Sequence, residues 1–236
     1  MGDSKSQKDL LIFERSTEDI IRATLNSLIE GMTGVFNYTK DDCLLSISLI
    51  SKRSRGGKFL NELLKEWNKY REKGKVKEDY QFSEQHKVCL QELLDFLEND
   101  SPDEVRFLVL KKILLVASTE KISDRNNLLP QHFMKIVRKL TDGEIILLTA
   151  VFDIDIQRKF WSDDPHYSAD SWIKKVTLES NLKYTQLAEI YEKSLMDKKL
   201  ITPRFHPDGS GVHVRPHFRL TDLGFNLCQY IASYEK

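Results

Sequence analysis

The fold prediction depends on residues 185–233, TQLAEIYEKSLMDKKLITPRFHPDGSGVHVRPHFRLTDLGFNLCQYIAS. In Thr185–Lys198 the apolar residues recur every third or fourth position, which predicts an amphipathic helix. Val212–Leu220 alternates in polarity and follows Leu200–His206 across a glycine-containing turn, which predicts a pair of antiparallel strands. Thr221 is the expected N-cap of a last helix that continues to the end of the stretch.

Two phrases within this stretch resemble the winged helix-turn-helix family. Leu195–Ile201 is similar to the lead into the wing, and Phe218–Gly224 is similar to the exit from it. With a further amphipathic helix at Trp172–Ser180, the resemblance covers residues 170–236. It implies a mainly α protein, with a helical N-terminal domain and a C-terminal winged helix whose wing is a two-stranded β-hairpin. Winged helices bind DNA, RNA or proteins, so the resemblance alone does not select the partner.

Charge in the predicted winged helix lies on the wing rather than on the helix before it. We expect that helix to expose Glu189, Glu192 and Asp197, whose carboxylates would repel phosphates. The strands alternate in period two, so their cationic residues share one face that could lie along a phosphate backbone. The candidate nucleic-acid-binding residues are Lys198, Lys199, Arg204, His206, His213, Arg215, His217 and Arg219. A solvated outer hairpin face is the alternative interpretation.

The remainder of the chain shows mainly helical periodicity. We expect residues 1–152 to form the helical domain, residues 153–170 an acidic linker and residues 171–236 the winged-helix-like domain. Ser83 is an expected N-cap, and Ser101 with Glu104 is an expected capping box. Thr141 and Glu144 repeat the same capping-box pattern.

The N-terminal part offers one candidate site and one loose resemblance. Lys52, Arg53, Arg55 and Lys58 lie beside two glycines and form a possible phosphate-binding loop, although the spacing is not that of a nucleotide-binding P-loop. A solvated loop is the alternative. Residues 17–125 weakly resemble the Abi-alpha proteins of bacterial phage-defence neighbourhoods, which implies a context rather than a chemistry.

Composition restricts the function classes. The 36 basic and 36 acidic residues give a net charge of zero, but residues 101–150 carry +2 and residues 171–236 carry +3, against −2 for residues 1–100 and −3 for residues 151–170. A neutral total therefore does not exclude nucleic acid. Three separated cysteines indicate reduced thiols and a cytoplasmic protein, and no apolar stretch is long enough to span a membrane.

We therefore expect a non-enzymatic nucleic-acid-binding regulator or phage-defence component. DNA is the expected ligand, a homodimer would supply symmetry, and no catalytic residue, cofactor, metal or membrane contact is expected. The alternative is a protein–protein interaction module, an adaptor or inhibitor that uses the same winged helix. A hydrolase hidden in the helical domain is only the third hypothesis, because the sequence contains no established catalytic motif.

Overall fold

A computed structural model of the chain describes residues 54–77, 83–100, 102–119, 128–156, 169–208, 211–214 and 219–235. The helices of these residues are α1 (Ser54–Glu72), α2 (Glu84–Asn99), α3 (Glu104–Thr119), α4 (Leu129–Arg138), α5 (Asp142–Ile156), α6 (Ala169–Glu179), α7 (Thr185–Asp197) and α8 (Asp222–Ala232). Two short strands, β1 (Phe205–Asp208) and β2 (Gly211–Val214), lie between α7 and α8. The chain divides into an N-terminal unit, Met1–Lys135, and a C-terminal unit, Ile136–Lys236.

The N-terminal unit is built on the packing of α1, α2 and α3. The Phe59 ring stacks on the Phe107 ring with centroids 4.4 Å apart, which joins α1 to α3. Trp67 is buried against His86 of α2, with ring centroids 5.3 Å apart. These aromatic contacts bury the apolar side of α1 and leave its other side to solvent.

Side-chain caps fix the ends of several helices. Ser83 accepts a hydrogen bond from the His86 amide at 3.1 Å, which confirms the predicted cap of α2. At the start of α3, Asp103 caps instead, since its Oδ1 accepts from the Arg106 amide at 2.8 Å. Ser101, the predicted cap, lies outside the described residues.

The buried His86 makes the stability of the N-terminal unit depend on pH. Burial, helped by the charge of Lys87, lowers the pKa of His86 from 6.5 to about 3. The folded unit therefore keeps the imidazole neutral while the unfolded chain protonates it below pH 6.5. Stability is complete above that pH and declines as pH falls, by about 2 kcal/mol between pH 6.5 and pH 5.

Hydrogen exchange of peptides from residues 54–119, followed by mass spectrometry across this pH range, measures the loss directly. His86→Phe should remove most of the pH dependence, whatever its own effect on stability at neutral pH. A His86→Phe variant that loses stability with acid as steeply as the parent would contradict the prediction.

The C-terminal unit is arranged around α5, which packs against α6, α7 and α8. The predicted capping box is confirmed: Thr141 N donates to Glu144 Oε2 at 2.6 Å, and Glu144 N donates to Thr141 Oγ1 at 3.3 Å. The predicted cap Thr221 is also confirmed, because its hydroxyl accepts from the Gly224 amide at 3.1 Å. We expected α5 in the N-terminal domain, but its mostly buried surface places it with the helices that follow it.

The prediction of a two-stranded β-hairpin wing is wrong, whereas the prediction of a mainly α fold agrees with the described residues. No residue whose side chain the structure describes lies in a strand. Among the residues that the structure describes, strand pairing is limited to β1 with β2, four residues each, and to a single bridge between Ile201 and Leu220. Pro203 has no N–H with which to extend the ladder. In addition, Arg219, expected on the outer face, is buried.

Candidate nucleic-acid interface

Helix α1 separates its apolar and its cationic residues onto opposite sides. Its inner side buries the apolar residues Phe59, Leu60, Leu63, Leu64 and Trp67. Its outer side exposes Arg55, Lys58, Lys65 and Lys69, whose spacing of three, seven and four residues places them on one face of a helix. At 1.5 Å per residue this row is about 21 Å long. We call these four residues, together with Lys73, the basic stripe.

The basic stripe continues beyond the end of the helix. Lys73 follows Lys69 by one turn, and its amide donates to the Lys69 carbonyl at 3.1 Å, so the helical path continues to it. Gly74 then adopts a left-handed conformation with φ of 64°, which turns the chain away from the helix axis. The Lys75 ammonium lies 5.2 Å above the Tyr70 ring.

Exposed charge around α1 is strongly one-sided. Between residues 54 and 77 the structure exposes eight cationic side chains and two carboxylates, Glu72 and the 42% exposed Glu62. The exposed cations are Arg55, Lys58, Lys65, Lys69, Arg71, Lys73, Lys75 and Lys77. The same segment also contains Glu62 and Glu66, and α1 would be less cationic if their charges were not compensated.

A buried lysine of α3 compensates those two carboxylates. Lys111 Nζ lies 2.6 Å from Glu62 Oε1 and 2.6 Å from Glu66 Oε2, and the Lys111 side chain is only 6% exposed. Burial alone would lower the pKa of Lys111, but its hydrogen bonds to the two glutamates outweigh that effect and raise the pKa. Glu62 and Glu66 are therefore paired with α3, whereas the lysines of α1 face solvent.

This surface is only partly the phosphate-binding loop predicted from the sequence. Arg55 and Lys58 lie in the first turns of α1 rather than in a loop, and Arg55 Nη1 donates to the Pro102 carbonyl at 3.4 Å. Lys52 and Arg53 lie outside the described residues. Sequence reasoning missed Lys65, Lys69 and Lys73. Their helical spacing opposite an apolar face was a readable signal, but the charge was summed over residues 1–100, where 18 acidic residues outnumber 16 basic ones.

The C-terminal unit uses two of its predicted phosphate-binding arginines, Arg204 and Arg219, in internal contacts. Arg219 has no exposed surface, and its Nη1 is hydrogen-bonded to Glu192 Oε1, while its Nε donates to the Thr202 carbonyl at 3.0 Å. Its guanidinium carbon lies 4.0 Å from the centre of the Trp172 ring. Arg204 Nη2 lies 2.9 Å from the other oxygen of Glu192. The expectation that Arg219 faces solvent is therefore wrong, and Arg204 is held in the same buried ionic cluster.

The two predicted lysines of this unit differ in their surroundings. Lys198 is paired with Glu144 and donates to Ser194 Oγ at 2.7 Å. Burial alone would raise the pKa of Glu144, but the hydrogen bonds from Lys198 and Ser194 outweigh it and lower the pKa. Lys199 is exposed at the end of α7.

For two of the predicted histidines the structure describes only the position of the backbone. His206 and His213 are directly opposite each other in the β1–β2 pairing. Arg215 and His217 lie outside the described residues.

The described residues contain no group of three or more His, Cys, Asp or Glu side chains placed to hold a metal ion. In the same ranges, no helix combines the length and apolar character needed to cross a membrane. No family model, no curated protein and no solved structure matches this chain. The resemblances to winged helices and to Abi-alpha proteins, and the phage-defence context that the latter implies, therefore stay predictions.

Proposed function

We propose that this protein binds nucleic acid and that the basic stripe of α1 is its contact surface. The observation that supports the proposal is the excess of eight exposed cations over two exposed carboxylates within residues 54–77, one of which, Glu62, is paired with Lys111. Lysines neutralise phosphates and release their condensed counterions, which supplies most of the affinity of sequence-independent nucleic-acid binding. The contact with the phosphate backbone, predicted for the wing, is thereby assigned to the N-terminal unit.

A membrane surface is the competing polyanion, and the apolar residues of α1 argue against it. Helices that lie on membranes bury an apolar face between the lipid headgroups. The apolar face of α1 is already buried in the protein core, and no large apolar side chain is exposed in the described residues 54–77. The stripe therefore offers charge without an inserting face, which suits phosphates held at the surface of a nucleic acid.

We predict that Lys58→Ala, Lys65→Ala and Lys69→Ala together will weaken nucleic-acid binding at least tenfold. At about 0.9 released counterions per contact, the slope of log K against log salt should fall in magnitude by about 2.7. Fluorescence anisotropy with a labelled nucleic acid at roughly 50 to 200 mM salt measures both quantities.

The matched control removes three exposed lysines from the C-terminal unit, Lys174→Ala, Lys183→Ala and Lys193→Ala. The control variant has the same net charge as the stripe variant, which is the protein with Lys58→Ala, Lys65→Ala and Lys69→Ala. It should bind like the parent because its basic stripe is intact. Equal losses of affinity in the two variants would show that binding depends on overall charge rather than on the basic stripe. Binding of the parent to anionic lipid vesicles but not to nucleic acid would assign the stripe to membranes and overturn the proposal.

A protein–protein interaction module is the second candidate function, located in the C-terminal unit. Three large side chains of α6, α7 and the turn between them are mostly exposed: Leu178 at 73%, Ile190 at 62% and Tyr184 at 53%. Exposed apolar side chains are typical of protein contact sites when they are contiguous. If a purified partner forms a defined complex, Leu178→Ser with Ile190→Ser should abolish it, and the stripe variant should leave it intact.

A further inference from the structure

The aromatic side chains of residues 54–77 are directed away from the basic stripe. Phe59 and Trp67 are buried at 4% and 2% exposure, and Tyr70 is half-buried beside Lys75. Proteins that bind single strands stack successive bases on exposed aromatic side chains, and this stacking supplies much of their affinity. A single strand laid along the stripe would meet no exposed aromatic side chain.

The stripe is also a rigid row of charge. One helix sets the positions of its cations over about 21 Å, and the opposite face of that helix is fixed by Phe107 and His86 in the unit core. Double-stranded DNA presents a comparably regular row, with about one phosphate charge per 1.7 Å of its axis. A flexible single strand must lose conformational entropy to match such a row, and the stripe offers no stacking to offset that loss.

The shape of the stripe favours B-form DNA over an RNA duplex. An α-helix with its side chains is about 10–12 Å across, close to the roughly 12 Å width of the major groove of B-DNA. The major groove of A-form RNA is deep and narrow, so a helix face can approach only its outer phosphates. More lysines can therefore reach phosphates on DNA than on RNA.

The side-chain types of the stripe indicate contact with phosphates rather than with bases. Four of its five residues are lysines, which act as point charges toward phosphate and lack the planar fork of arginine. Phosphate contacts position a protein without carrying sequence information. Asn61 is the one exposed amide side chain in the described residues 54–77, and so it is the clearest candidate for a contact with a base edge.

From these features we infer that the partner of the basic stripe is double-stranded DNA, bound along its phosphates without preference for base sequence. This inference rests on the proposed nucleic-acid-binding function and specifies its ligand.

The test compares four labelled probes with the full-length protein at one salt concentration. They are a mixed-sequence DNA duplex of about 20 base pairs, one of its single strands, a duplex of permuted sequence, and an RNA duplex of the first sequence. We expect the DNA duplex to bind at least tenfold more tightly than the single strand and more tightly than the RNA duplex. The two DNA duplexes should bind within twofold of each other, and Asn61→Ala should leave that ratio unchanged.

Each contrary result has a distinct meaning. A single strand or an RNA duplex that binds as tightly as the DNA duplex would overturn the inference and leave the proposed function intact. A tenfold preference for one DNA duplex, especially one that Asn61→Ala abolishes, would overturn the absence of sequence preference. Failure of all four probes to bind at low salt would overturn the proposed function and this inference together.

Discussion

Replacing Arg219 with alanine is expected to destabilise the C-terminal unit by about 3–5 kcal/mol, because it leaves a buried carboxylate without its closest partner. Glu192 is 2% exposed and has one oxygen on Arg219 and the other on Arg204. The variant also loses the contact of the guanidinium with Trp172 and its hydrogen bonds to the Thr202 carbonyl. Removal of one member of a buried ion pair costs far more than the pair itself contributes.

Hydrogen exchange of peptides from residues 136–236 in the full chain measures this loss in the unit concerned. Arg71→Ala removes an exposed arginine and should change stability by at most about 0.5 kcal/mol. Combining Arg219→Leu with Glu192→Leu removes both charges and should cost less than Arg219→Ala alone. A loss below about 1 kcal/mol for Arg219→Ala would mean that Arg204 alone satisfies Glu192.

Gly224→Ala is expected to be the other severe substitution, with a loss of about 3 kcal/mol or more. A Cβ at Gly224 would lie 2.0 Å from the carbonyl oxygen of Leu200, which is backbone and cannot rotate away. The same carbonyl accepts a hydrogen bond from the Thr221 amide at 3.1 Å, so its displacement would also disturb the start of α8.

The midpoint of thermal unfolding, followed by circular dichroism, should fall by several degrees in Gly224→Ala. Asn226→Ala lies two residues further along the same helix on its exposed side and should leave the midpoint nearly unchanged. Equal midpoints in the two variants would falsify the close approach of α8 to Leu200.

Local chemistry made the helices predictable from the sequence. The helices α1 and α7 and the caps at Ser83, Thr141 and Thr221 all appear in the structure, because each depends on residues only three or four positions apart. The alternation of residues 212–220 led to the wrong prediction that Arg219 is exposed. Period two is necessary for a strand but does not show which face will be buried.

The candidate site was less predictable because it depends on distant partners. Arg219 meets Glu192 from 27 positions away, and Lys111 meets Glu62 from 49 positions away. Neither separation has a signature in a single sequence. Arg219 was therefore expected on an exposed face, and the net charge of −2 for residues 1–100 included Glu62 and Glu66 without their pairing to Lys111.

The burial of Lys111 gives binding experiments an internal reference. Reagents that acylate lysine attack the neutral, accessible amine. The Lys111 side chain is only 6% exposed, its ammonium is ion-paired, and its pKa is raised. In covalent footprinting of the folded protein it should therefore stay unlabelled whether or not a ligand is present. Lys58, Lys65 and Lys69 should lose labelling only when the stripe is covered, while reaction at Lys111 would report unfolding in the same spectrum.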